Sequence, residues 1–198
     1  NTTSKTFLVR AVDRTPPQTT CPANVQVVLP QGAAGTPVQF TTPTATDIVG
    51  VYYTLLDHAS GDSFPAGDTL VTFRAVDLAN NWGSCSFHVI VLDQEPPVLT
   101  LPVRLDVDAS DPKYGFVQYT PSAADNTGVT QYDCSPDVYK GEWLPIGDTS
   151  VTCTVYDAAG NSASGTFDVH VRDAYEMIDV LLRLLPRLPS TKPASVIQ

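Results

Sequence analysis

Apolar and polar residues alternate along most of this chain in short runs. Val25, Val27 and Leu29 share one side of an extended segment. Leu101, Val103, Leu105 and Val107 do the same later, with Arg104, Asp106 and Asp108 between them. Val71, Phe73 and Ala75 continue the pattern, as do Phe87, Val89 and Val91. A period of two marks strands with one buried and one wet face. It predicts half-buried antiparallel strands. Turn signals separate the runs at Asp47-Ile48-Val49-Gly50, at Asp125-Asn126-Thr127-Gly128 and around Asp77 and Asp157. The last stretch changes period. Ile178, Leu181, Leu182 and Leu185 recur at helical spacing, and Pro186 stops the run.

The pattern also repeats as a whole. Asp13, Asp93 and Asp173 are 80 residues apart, and Pro16-Pro17 returns as Pro96-Pro97. Phe64-Pro65-Ala66-Gly67-Asp68-Thr69 returns as Leu144-Pro145-Ile146-Gly147-Asp148-Thr149. Residues 14–93 and 94–173 are thus two copies of one unit. Phe7 and Val9 align with Phe87 and Val89, so residues 1–13 are expected to be the last strand of a preceding copy. The chain reads as a piece of a longer protein. Residues 174–198 form a separate amphipathic helix and Pro-rich tail. About 80 residues with several short strands suits an immunoglobulin-like sandwich. The fold class expected is therefore all-β, tandem immunoglobulin-like antiparallel β-sandwiches with a short C-terminal helix.

The four cysteines follow the repeat in an unusual way. Cys21 and Cys85 lie in the first copy, where the second has Leu101 and Gly165. Cys134 and Cys153 lie in the second, where the first has Leu56 and Phe73. Cysteines present or absent in pairs predict bonds Cys21–Cys85 and Cys134–Cys153. Buried free thiols would have no reason to vanish in pairs. Leu56 and Phe73 would fill with apolar bulk the space a bridge would take. Disulfides imply an oxidising compartment. There is no Cys-x-x-Cys, which argues against a zinc site.

Composition narrows the function. The 198 residues carry 11 Lys+Arg against 21 Asp+Glu, a net charge of −10. No basic footprint exists for nucleic acid or an anionic membrane. No apolar run reaches the roughly 18 residues a spanning helix needs, so this segment is not expected to insert in a membrane. With 17 Pro and 12 Gly, and acids that are Asp far more often than Glu, turns dominate.

Thr20-Cys21-Pro22-Ala23-Asn24-Val25, the Asp-x-x-Gly turns, Phe64-Pro65-Ala66-Gly67-Asp68-Thr69-Leu70-Val71-Thr72, Asp157-Ala158-Ala159-Gly160-Asn161 and Cys85-Ser86-Phe87-His88-Val89 together resemble the hyalin repeat, or HYR domain. The resemblance covers residues 1–173. The family pattern has four cysteines per repeat, and each copy here departs from it by keeping two. The resemblance implies an extracellular, usually tandem, immunoglobulin-like module of adhesion and extracellular matrix. It implies no catalytic residue. The expected function is a structural, adhesive stalk or fibre segment at the cell surface or in a secreted matrix. Its partners would be other proteins or neighbouring repeats. The second reading is a carbohydrate-binding or spacer module attached to a secreted enzyme, with glycans as partners.

Candidate sites are few. Asp93, Glu95 and Asp125 are the candidate Ca²⁺ ligands at the junctions, with Asp13, Asp47 and Asp173 related to them by position. The commoner use of such Asp residues is to end strands and start turns. Asp77 with Asn81, and Asp157 with Asn161, are further oxygen donors, more simply read as turns that bond their own backbone. Trp82 and Trp143, with Tyr52, Tyr53 and Tyr132, could stack on sugar rings, although packing is the more frequent role. Asn1-Thr2-Thr3 is an N-glycosylation acceptor, which would make the protein a glycoprotein. Ile178, Leu181, Leu182 and Leu185 would either pack on the second copy or dock a partner. His88 and His170 should point outward, and no nucleophile or phosphate motif accompanies them.

Overall fold

The computed structural model describes residues 3–184. The chain divides into two compact units at Glu95–Pro96.

In the first unit, β1 (Gln18–Thr20), β2 (Val25–Val28), β3 (Gly35–Pro37), β4 (Thr44–Thr46), β5 (Val51–Leu56), β6 (Ser63–Pro65), β7 (Gly67–Asp77) and β8 (Trp82–Leu92) follow in order. Four of them form a sheet in the order β2-β8-β7-β5. The pairs β1–β4 and β3–β6 are short and antiparallel. The long β7–β8 hairpin is the spine, because its inner residues Val71, Phe87, Val89 and Val91 are all buried. Phe64 from β6, Val38 and Phe40 close over that face, so the core is made by two layers. This is a β-sandwich.

The second unit repeats the plan with β9 (Val98–Thr100), β10 (Arg104–Asp108), β11 (Tyr114–Val117), β12 (Ser122–Ala124), β13 (Val129–Ser135), β14 (Glu142–Pro145), β15 (Gly147–Asp157) and β16 (Ser162–Arg172). Its large sheet runs β10-β16-β15-β13. Val117, Val138, Leu144, Val151, Phe167 and Val169 fill its core. Each unit contains one parallel pair, β2 with β8 and β10 with β16, among otherwise antiparallel ones. This corrects the antiparallel pairing expected of the runs from Val25 and Leu101, because alternation reports which face is buried and is blind to strand direction.

Sγ of Cys21 is bonded to Sγ of Cys85 at 2.07 Å. Cys134 is bonded to Cys153 at 2.03 Å. The first bond crosses from the segment after β1 to β8. The second joins directly opposed residues of β13 and β15. Leu56 and Phe73 oppose each other at the matching place in the first unit. A Cβ at Gly165 would lie 2.8 Å from Leu101 Cδ1, so leucine occupies in the second unit the room that a bridge takes in the first.

Residues 3–13 form no strand, contrary to expectation, and Phe7 and Val9 are exposed. A last strand is held by the ladder beside it, and none pairs with this segment among the described residues. The predicted helix is α1 (Ala174–Leu184). Asp173 caps it by accepting from Tyr175 N–H and Glu176 N–H at 2.8 Å each, while Glu176 reaches back to Asp173 N–H at 3.0 Å. That reciprocal box fixes where the strand stops and the helix begins. Leu185 and Asn1 lie outside the described residues.

Candidate functional site

Three turns of the first unit each begin with an Asp that bonds its own backbone. Asp13 Oδ1 accepts from Thr15 N–H at 3.0 Å. Asp47 Oδ1 accepts from Val49 N–H at 2.8 Å and Gly50 N–H at 3.1 Å. Asp77 Oδ1 accepts from Asn81 N–H at 2.8 Å, and its Oδ2 from Asn81 Nδ2 at 2.7 Å. Asn80 supplies the left-handed residue of that turn, at φ 69°. The fold brings these turns to one end of the sandwich. One carboxylate oxygen from each of Asp13, Asp47 and Asp77 lies within 4.8 Å of the others.

Asp77 is buried and Asp13 and Asp47 are partly so. Burial pushes the Asp77 carboxyl up, but the bonds from the Asn81 side chain and from the Asn81, Ala79 and Asn80 backbone outweigh it and hold it below its ordinary value. Asp77 is therefore ionised at neutral pH. Asp13 Oδ2 is buried without a hydrogen-bond partner among the described residues.

In the second unit the turns recur bond for bond. Asp125 Oδ1 accepts from Thr127 N–H at 2.8 Å and Gly128 N–H at 3.1 Å. Asp157 accepts from Asn161 N–H at 2.8 Å and Asn161 Nδ2 at 2.7 Å. One oxygen of Asp125 and one of Asp157 lie within 4.8 Å. Asp125 Oδ2 is also buried without a hydrogen-bond partner among the described residues. Asp93 is buried and accepts from Glu95 N–H at 3.0 Å. Glu95, by contrast, is committed to Gly32 N–H at 2.7 Å and is no member of the carboxylate group in its unit. Asp77, weighed in the sequence as a turn residue, is both a turn residue and a member of that group.

The aromatic candidates are not core residues. Trp82 opens β8, and Trp143 lies in β14; both are exposed. Trp143 meets Phe116 with ring centroids 5.4 Å apart, and Tyr132 stacks on Tyr139 at 5.4 Å. Tyr52 packs on Tyr53, and Tyr53 on Trp82. His170 bridges Asp148 at 2.7 Å and Glu176 of α1 at 3.1 Å, while His88 meets Asp68 at 2.7 Å. The helix residues Ile178, Leu181 and Leu182 are exposed. No helix among the described residues is long and apolar enough to cross a membrane.

The HYR domain family model matches residues 12–91 and again 92–171. Hyalin of Strongylocentrotus purpuratus is 35% identical over 174 residues, 84% of this chain and 14% of that protein. Hyalin of Lytechinus variegatus is 37% identical over 146 residues, 71% of this chain and 27% of that protein. The chain therefore spans a minor part of both relatives. The mouse Sushi, von Willebrand factor type A, EGF and pentraxin domain-containing protein 1 is 29% identical over 78% of this chain and 4% of its own length. Among solved structures, mouse Cadherin-23 EC22-24 is 12% identical with a TM-score of 0.35, covering 82% of this chain and 66% of that one.

Proposed function

The chain belongs to the HYR domain family, and from that premise we propose that it is a structural, adhesive segment of an extracellular multi-repeat protein, a module of a stalk or fibre rather than an enzyme. One observation carries this reading: a single sandwich is written twice in one chain, each copy with its own disulfide. Reducing compartments do not maintain such bonds. Partners in this reading are other proteins or neighbouring repeats, and Ile178, Leu181 and Leu182 are apolar positions offered to them. Beads coated with the chain are expected to aggregate or to adhere to matrix-coated plates. Failure to do either, with and without calcium, would sink the reading.

Calcium belongs to the same proposal. Asp13, Asp47 and Asp77 supply only oxygens, as a hard cation requires. Oxygens up to 4.8 Å apart can share one ion at Ca²⁺–O distances of about 2.4 Å. The orphaned Asp13 Oδ2 and the ionised Asp77 fit that role. Such an ion would tie three turns together and stiffen that end of the sandwich. Millimolar Ca²⁺ should then raise the thermal midpoint of the first unit. Asp13→Asn should abolish most of the rise. An unchanged midpoint in wild type would exclude the site.

A further inference from the structure

The outer face of β5, β7 and β8 carries a cluster that the sandwich does not need. The ladder between β5 and β7 shifts register between Val51 and Tyr53, a bulge with Tyr52 as the extra residue. Tyr52 and Tyr53 would otherwise point to opposite faces. Instead their ring centroids are 5.4 Å apart, at an interplanar angle of 76°. Tyr53 and Trp82 flank Val76 from the two neighbouring strands. Their rings meet over it, with centroids 6.1 Å apart at 89°. Much ring surface nonetheless remains uncovered: Tyr52, Tyr53 and Trp82 are 66%, 40% and 48% exposed. The two hydroxyls and the indole N–H have no hydrogen-bond partner among the described residues.

Two residues before Val76, Arg74 projects from the same face of β7. Its guanidinium is exposed and has no ion pair among the described residues, although its unit is acidic. The second unit makes the same bulge, between Val129 and Gln131, with a single ring there, Tyr156 at the place of Val76, and neither the three-ring cluster nor the unpaired cation. There Thr130 turns its hydroxyl onto the Asp157 carbonyl at 2.8 Å. Thr154, at the place of Arg74, shares a 2.7 Å hydrogen bond with Ser164, and Ser162 replaces Trp82. Neither the bulge nor the sheet therefore requires the Tyr52-Tyr53-Trp82 cluster or the cation.

We propose that Tyr52, Tyr53, Trp82 and Arg74 form a binding site for an acidic pyranoside, a sugar ring carrying a carboxylate or sulfate. Ring faces receive the C–H face of a pyranose, the free hydroxyls and indole N–H meet sugar oxygens, and the guanidinium pairs with the acid. The patch is also sized for this. Three half-exposed rings offer about 300 Å², against roughly 800 Å² per partner for a standard protein interface. The site is independent of the stalk reading, because a carbohydrate can be bound by a module of any larger protein.

The test is a titration of the whole chain with an unsulfated chondroitin tetrasaccharide, followed by the Trp82 indole N–H resonance. A saturable shift is expected. The carboxyl-reduced, neutral tetrasaccharide should bind about fivefold more weakly. Arg74→Gln should erase that difference, and Tyr52→Ala should weaken both sugars about tenfold. Tyr52 and Arg74 are exposed, so both variants should keep the core amide spectrum of the wild type. No shift with the acidic sugar would overturn the proposal, as would unchanged binding by Tyr52→Ala. A Trp82 shift that depends on protein concentration without sugar would also overturn it, and would make the face a protein contact.

Discussion

Between β5 and β7 of the first unit, Leu56 faces Phe73; at the same place in the second, Cys134 is bonded to Cys153. The reverse holds at the other position. Cys21 is bonded to Cys85 in the first unit, while Leu101 lies over Gly165 in the second. Both units keep the same strand order and the same Asp turns. A covalent link and an apolar contact thus serve at equivalent places. What the sandwich demands there is filled volume, and the covalent link adds a restraint on the unfolded chain. The outer faces differ more freely near the bulges, with Tyr52, Tyr53, Trp82 and Arg74 in one unit and Thr130, Gln131, Ser162 and Thr154 in the other, because solvent imposes no packing requirement.

The comparison can be broken most forcefully at the bridges. The first joins residues 64 positions apart in sequence and the second residues 19 apart. Loop entropy then assigns about 4 kcal/mol to the first and about 3 kcal/mol to the second. Cys21→Ala with Cys85→Ala should lower the urea midpoint of the first unit more than Cys134→Ala with Cys153→Ala lowers that of the second. Equal losses, or the opposite order, would mean that packing rather than chain restraint sets the difference.

A smaller loss tests a contact unique to the first unit. A Cβ at Gly83 would collide with the Pro17 carbonyl oxygen, a backbone atom that cannot swing aside. Gly83→Ala should cost about 2 kcal/mol, although Ala163 is the natural residue at the matching place in the second unit. A neutral effect in thermal unfolding would show that β1 moves aside without cost.

Transplanting one unit's solution into the other comes next. Cys134→Leu with Cys153→Phe should recover about 1–2 kcal/mol of the stability lost in the double-alanine variant. No recovery would show that the two interiors differ in shape as well as in chemistry.

The smallest effect concerns α1. The bond to Asp148 raises the His170 pKa above 6.5; burial opposes this and the bond to Glu176 adds to it. A group with a raised folded-state pKa stabilises fully below its unfolded value of about 6.5. That contribution is lost as pH climbs through the raised value. Amide exchange in α1 should therefore accelerate as pH rises across that window, after correction for intrinsic rates, and His170→Gln should flatten the response. An identical pH profile in the variant would exclude the histidine as the anchor.

Much of this was legible before the structure. Val71, Phe87 and Val89 announce a buried face by period alone, and Asp77 with Asn81 announces a turn by its own side-chain chemistry. Both are local properties, set by backbone geometry within a few residues. The 80-residue repeat and the exchange of cysteines in pairs are visible by aligning the chain with itself. The strand expected at residues 1–13 shows the limit. Phe7 and Val9 have the right alternation, yet a strand needs a neighbour as well as a pattern.

The chain alone shows the two units through its 80-residue repeat, the faces of the long strands and the final helix through short-range periodicity, and the turns through their Asp, Asn and Gly residues. Only tertiary structure decided that Asp13, Asp47 and Asp77 converge, that Glu95 is spent on Gly32, and that a bulge turns Tyr52 toward Tyr53. Those outcomes depend on pairing register and on which turns share an end of the sandwich. Contacts between residues tens of positions apart set both.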